Sequence, residues 1–141
     1  MYAVDTSLTT DFRETLQDIS RISITGLESA PFIDKTANLK AAPASKTPIS
    51  FDSETDRIYS AHPHQAVTVT EAKQGRYEIT RDELGDVVVW NPWKEKAGGM
   101  ADFGPEDGWK RMVCVETGSV SKWTGLEGGE TWEGGQRIKL L

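Results

Sequence analysis

Asp86–Gly118 reads DVVVWNPWKEKAGGMADFGPEDGWKRMVCVETG, and the alternation inside it decides the fold. Two apolar runs, Val87-Val88-Val89-Trp90 and Met112-Val113-Cys114-Val115, flank a loop that carries Trp93, Trp109, glycines and prolines. Short apolar runs bounded by turn residues read as β-strands. The second run ends in an acid, Glu116. Residues two apart in a strand share a face, so Met112, Cys114 and Glu116 line one side and Val113 and Val115 the other. A carboxylate beside Met and Cys side chains is partly desolvated, which raises its pKa and makes it a better base. Read blandly, Glu116 is a strand-end acid in water or paired with a base such as Lys110. The pattern alone leaves both readings open.

Working outward, the same chemistry recurs. Arg21–Thr25 alternates and stops at Gly26, and Ala66–Glu71 and Arg76–Arg81 alternate cleanly around a hairpin turn placed at Lys73-Gln74-Gly75. Ile49–Phe51, Arg57–Tyr59 and a stretch around Gln136–Leu140 are further β-prone pieces, and Leu84-Gly85-Asp86 is a turn. Helix is scarce: Pro105–Arg111 supports one turn, and Thr36–Pro48 reads as a loop. Short strands at near-regular spacing predict an all-β antiparallel sandwich or barrel. There is no solenoid-length repeat and no inter-domain linker, so residues 1–141 read as one domain or part of one.

Charge narrows the function. The chain has 22 acidic and 16 basic residues, a formal net charge of −6. That excludes the basic face a nucleic-acid binder needs and a polybasic membrane anchor. No apolar run approaches the roughly 20 residues that span a bilayer as a helix, and Met1–Ser20 lacks the pattern of a secretory signal. The single cysteine, Cys114, cannot form an internal disulfide, which fits a reducing compartment and a cytoplasmic location; it reads as a small buried apolar residue.

Other candidates are weaker. Asp56, in Ser53–Tyr59 (SETDRIY), stands where a turn meets a strand and could meet a ligand hydroxyl, although an ordinary turn acid fits the pattern better. The five tryptophans can stack on sugar rings, but core packing accounts for most of them. His62 and His64 share a short loop without Cys or His partners at ligand spacing, so a metal site is not expected. Gly128-Gly129 and Gly134-Gly135 match no phosphate-binding fingerprint.

The blocks ISITGLESAPFIDK (Ile22–Lys35), ETDRIY (Glu54–Tyr59), VVVWNPWKEKAGGMADF (Val87–Phe103), WKRMVCVETG (Trp109–Gly118) and LEGGETWEGGQRI (Leu126–Ile138) follow one another in an order that resembles the glucose-6-phosphate 1-epimerases, or hexose-6-phosphate mutarotases, of the galactose mutarotase-like group. The resemblance runs from about Leu8 to the C-terminus and implies a galactose mutarotase-like supersandwich. This chain would be its C-terminal portion, lacking the N-terminal part and the arginines that hold phosphate. It implies interconversion of the α and β anomers of a hexose 6-phosphate with no cofactor or metal. By motif, Glu116 corresponds to the glutamate that takes the anomeric proton, and Asp56 to the aspartate that holds sugar hydroxyls. Thr9 stands where the family's proton-donating histidine is expected, and a threonine hydroxyl is too weak an acid for that step. A partial sandwich also exposes strand edges, so self-association is expected.

Overall fold

The computed structural model describes the backbone of residues 2–11 and residues 16–141 in full. Among the described residues, eleven strands build two antiparallel sheets. They are β1 (Tyr2–Asp11), β2 (Ile22–Thr25), β3 (Phe32–Asp34), β4 (Lys40–Ala42), β5 (Ile49–Ser50), β6 (Thr55–Ser60), β7 (Val67–Glu71), β8 (Gln74–Asp82), β9 (Asp86–Asn91), β10 (Cys114–Leu126) and β11 (Gly135–Leu140). One sheet has the order β1-β10-β9-β6-β3-β4 and the other β11-β8-β7-β2-β5. The antiparallel sandwich expected from the alternating runs is the architecture found.

The core lies between the sheets. Ile22, Ile24, Val67, Val69 and Ile79 from the five-stranded sheet meet Tyr59, Val87, Val89, Val113 and Val115 from the other side. Each side chain buried to this degree contributes about 1.5–3 kcal/mol, which is why the valine runs commit to strands despite their shortness. Gly26 ends β2 at φ +92, and a Cβ there would strike the Ala66 carbonyl oxygen; only glycine fits the turn. Cys114 is buried, as read from the sequence.

Several boundaries differ from the sequence reading. The hairpin between β7 and β8 turns on Ala72 and Lys73, both at positive φ, so Gln74 and Gly75 already belong to β8. Lys40–Ala42 forms β4 inside the stretch read as loop, because it can pair with β3 at the sheet edge. Trp93–Gly99 forms a helix, α1, in which only Ala97 is buried. Asn91 organises it: fully buried, it accepts from the Trp93 backbone N–H at 2.9 Å and donates from Nδ2 to the carbonyls of Trp109 and Met112, both at 2.8 Å. The predicted turn within Pro105–Arg111 is a 3₁₀ turn over Gly108–Arg111. β10 starts two residues later than its apolar run and continues to Leu126 along β1, a Thr-rich strand the apolar pattern did not reveal.

Candidate active site

Strand alternation sorts the six-stranded sheet into two faces. Val87 and Val89 of β9, Val115 of β10 and Tyr59 of β6 point into the core. Asp86, Val88 and Trp90, Glu116, and Asp56 and Ile58 therefore share the opposite face. Pairing sets their spacing: Asp56 lies across from Trp90, Trp90 across from Cys114, and Val88 across from Glu116. With neighbouring strands about 4.8 Å apart, the backbones of Glu116 and Asp56 stand on the order of 10 Å apart. The half-buried side chains of Val88, Trp90 and Ile58 form an apolar floor between them. The two acids singled out from the sequence are thus brought onto one surface.

Their electrostatics differ. Burial pushes the Glu116 carboxyl above the ordinary carboxylate value; the Lys35 ammonium works against this and the charge of Asp56 adds to it. Asp56 is largely buried and ion-paired, with Lys35 Nζ 2.9 Å from its Oδ1. The Lys35 backbone N–H also donates to the Asp56 carbonyl at 2.8 Å. One residue earlier the charges are reversed, and Arg57 Nε donates to Asp34 Oδ2 at 3.1 Å. Arg57 also lies over the Phe32 ring, 5.0 Å from its centroid. The sequence reading passed over Lys35. The signal for it was its place at the end of the Ile22–Lys35 block, but its partner lies in a different block and is reached only through β3–β6 pairing.

At the far end of the face, Asp86 is buried and acts as a bracket. Its Oδ2 accepts from the backbone N–H groups of Val120 and Ser121 at 2.8 and 2.7 Å, and its Oδ1 accepts from Ser121 Oγ at 2.9 Å. These bonds bring β10 beyond Gly118 against the side of the sheet that carries Glu116. Thr9 of β1 pairs with Glu116 along β10's other edge; its side chain lies outside the described residues.

The remaining candidates sit elsewhere. His62 and His64 are exposed in the loop before β7, their ring centroids 5.5 Å apart, with His62 Nδ1 accepting from the His64 backbone N–H at 3.4 Å. Trp93 and Trp109 pack on each other, centroids 4.6 Å apart, against the core, and Trp123 is exposed. Lys110 lies over the Trp109 ring, and among the described residues the cation whose charge acts on Glu116 is Lys35. Among the described residues, no three His, Cys, Asp or Glu gather as metal ligands, and no helix is long and apolar enough to cross a membrane.

A family model described as aldose 1-epimerase matches residues 11–139. A protein of Cenchrus ciliaris named "Putative glucose-6-phosphate 1-epimerase" is similar at 37% identity over 125 residues, covering 89% of this chain and 37% of that protein. A protein of the same name from Escherichia coli (strain K12) is 33% identical over 105 residues, 74% of this chain and 35% of that one. The solved structure of a "putative mutarotase (YeaD)" from Salmonella typhimurium superimposes with a TM-score of 0.76 at 28% identity, over 86% of this chain and 40% of that one. The HI1317 structure shares the fold, with a TM-score of 0.74 at 22% identity, over 99% of this chain and 48% of that one. The chain therefore spans less than half the length of these relatives.

Proposed function

Because the chain belongs to the aldose 1-epimerase family, we propose that its surface around Glu116 and Asp56 serves the interconversion of the α and β anomers of aldohexose 6-phosphates. In this reading Glu116 is the base. It takes the proton from the anomeric hydroxyl, the C1–O1 bond becomes a carbonyl, and the bond from C1 to the ring oxygen breaks. A proton is delivered to the ring oxygen, the aldehyde rotates, and the ring recloses on its other face with the proton movements reversed. Asp56 accepts hydrogen bonds from sugar hydroxyls, and Trp90 offers the ring an apolar face. The reaction uses no metal or nucleotide and belongs in the cytoplasm.

The observation that carries the reading is the shared face: a carboxyl raised by burial, a second carboxylate two strands away, and an apolar floor between them. Glucose 6-phosphate is the substrate in the names of the relatives from Cenchrus ciliaris and Escherichia coli. Position 9, across from Glu116, holds a threonine where the proton donor belongs, so the isolated chain is expected to turn over little. The test is a coupled anomer-interconversion assay with glucose 6-phosphate. Little rate above the spontaneous one is expected from this chain, and Glu116→Gln removes what remains. A rate that Glu116→Gln leaves untouched would remove Glu116 from the mechanism.

The threonine at position 9 also favours a second reading, a sugar-binding module without catalysis. There glucose 6-phosphate shifts tryptophan fluorescence and no anomer exchange follows; a flat titration at millimolar sugar sinks it. Self-association fits either reading, since Ile138, Leu140 and Leu141 are exposed on and beside β11, at the end of its sheet. Sedimentation independent of concentration would count against it.

A further inference from the structure

We propose that Lys35 is a positioning residue of this site, holding Oδ1 of Asp56 so that Oδ2 is presented to one hydroxyl of a bound hexose. The inference rests on the sugar-handling reading above and adds to it a residue outside the two acids.

The geometry supports it from both ends. The Asp56 side chain is only 11% exposed, and its Oδ1 is 2.9 Å from Lys35 Nζ. The ammonium meets Oδ1 and not Oδ2. A carboxylate with one oxygen fixed by an ammonium keeps its plane, and its second oxygen becomes a directed acceptor. Lys35 is itself held, because its backbone N–H donates to the Asp56 carbonyl at 2.8 Å, so anchor and carboxylate move together. Its side chain is 42% exposed, which leaves ammonium N–H groups free to reach a ligand lying over the sheet. Asp56 without this cation would be a second negative charge beside Glu116 on an apolar floor, an arrangement that disfavours ionising both.

The groups that bear on Glu116 are few. β9 presents Val88 across from it, with Trp90 and Asp86 farther along the same face. β6 supplies Asp56, and the end of β3 supplies Lys35. On β1, Thr9 pairs with Glu116 and Asp11 with Cys114. Among the described residues, Lys35 is the cation that acts on Glu116.

The experiment is a double-mutant cycle on glucose 6-phosphate binding, read by calorimetry, with the Glu116 carboxyl titrated by carbon-13 NMR in the sugar-free protein. Lys35→Met and Asp56→Asn each weaken binding about tenfold, the size expected for one charge-assisted hydrogen bond. The double variant binds no worse than either single one within about threefold, because both changes remove the same interaction. Lys35→Arg restores binding. In the sugar-free protein Lys35→Met moves the Glu116 midpoint upward and Lys35→Arg does not. Penalties that add in full, or wild-type binding by Lys35→Met, overturn the proposal. If the wild-type chain binds no glucose 6-phosphate, the sugar reading falls by itself. Lys35 is then judged by the NMR titration, and an unmoved midpoint removes it too.

Discussion

Two glutamates, each at or near the end of an alternating run, have opposite fates. Glu71 closes β7 on the core side, in line with Val67 and Val69, and only 2% of its side chain is exposed. Glu116 lies near the start of β10 on the far side of the other sheet and is half-buried. Burial alone pushes both carboxyls up. At Glu71 the push is overcome: the backbone N–H groups of Gln17 and Asp18 donate to Oε1 at 2.9 and 3.2 Å, and Arg76 Nη2 donates to Oε2 at 2.8 Å. Its carboxyl is held below the ordinary value. At Glu116, among the described residues, burial is opposed by the charge of Lys35, and the carboxyl stays raised. One acid has spent its lone pairs on the fold; the other carries a raised pKa, the property the proposed base needs.

The contrast can be broken in four ways. The largest expected effect is Glu71→Ala, which strands the backbone N–H groups of Gln17 and Asp18 and removes the partner of Arg76. Urea unfolding should show a loss of about 1–3 kcal/mol, the cost of leaving buried donors without their acceptor. A loss comparable to an ordinary surface change, about 0.5 kcal/mol, would mean those bonds matter little. Glu116→Gln is the mirror case. Any measured anomer interconversion should fall about 100-fold or more, with unfolding free energy within about 0.5 kcal/mol of the parent. If Glu116→Gln destabilised the chain as Glu71→Ala does, the two acids would belong to one structural class.

The pH dependence is the third, and its two limbs have opposite sign. Glu71 has a depressed folded value, so it stabilises above its unfolded value, near the ordinary 4.5, and this is lost as the pH falls through the folded one. Glu116 has a raised folded value. Its contribution is unfavourable once it ionises, so stability declines as the pH rises from near 4.5 through the raised value. Urea midpoints measured across this range should lose the acid limb in Glu71→Gln and the upper decline in Glu116→Gln. The same limb disappearing in both variants would contradict the assignment. The smallest effect is optical. Trp90 lies across from Asp56 and Cys114 on the site face, whereas Trp123 is exposed far along β10. Trp90→Phe should remove most of the fluorescence response to glucose 6-phosphate and Trp123→Phe little. The reverse result would move the sugar away from this face.

What the sequence disclosed follows the same physical divide. Val87–Trp90 and Met112–Val115 were legible because alternation and burial are written locally, and the sandwich follows from them. That Glu116 shares a face with Met112 and Cys114 was legible from strand phase; its pairing with Asp56 as a candidate site came from the family resemblance, since the pattern alone reads Asp56 as a turn acid. The ion pair of Lys35 with Asp56 was not legible, because it exists only once β3 lies beside β6. The buried state of Glu71 was within reach: Val67, Val69 and Glu71 are in phase, and an acid on a core face demands donors. β1 was missed because Thr6, Thr9 and Thr10 carry β-propensity without an apolar stripe. α1 was missed because it lacks a side-chain cap and is set up by Asn91 from outside the helix.

The reversed charge order of Asp34-Lys35 and Asp56-Arg57 has a consequence for how the sheet assembles. In the native alignment each acid meets a base. Slide β3 by one residue along β6 in one direction and Asp34 faces Asp56; slide it in the other and Lys35 faces Arg57. Either slip trades two attractions for a repulsion and turns the apolar side chains to the wrong face. The ion pair proposed for sugar recognition would thus also favour the native register of its own strands. Replacing Lys35 should lower the yield of correctly paired chains on refolding as well as the affinity of those that succeed.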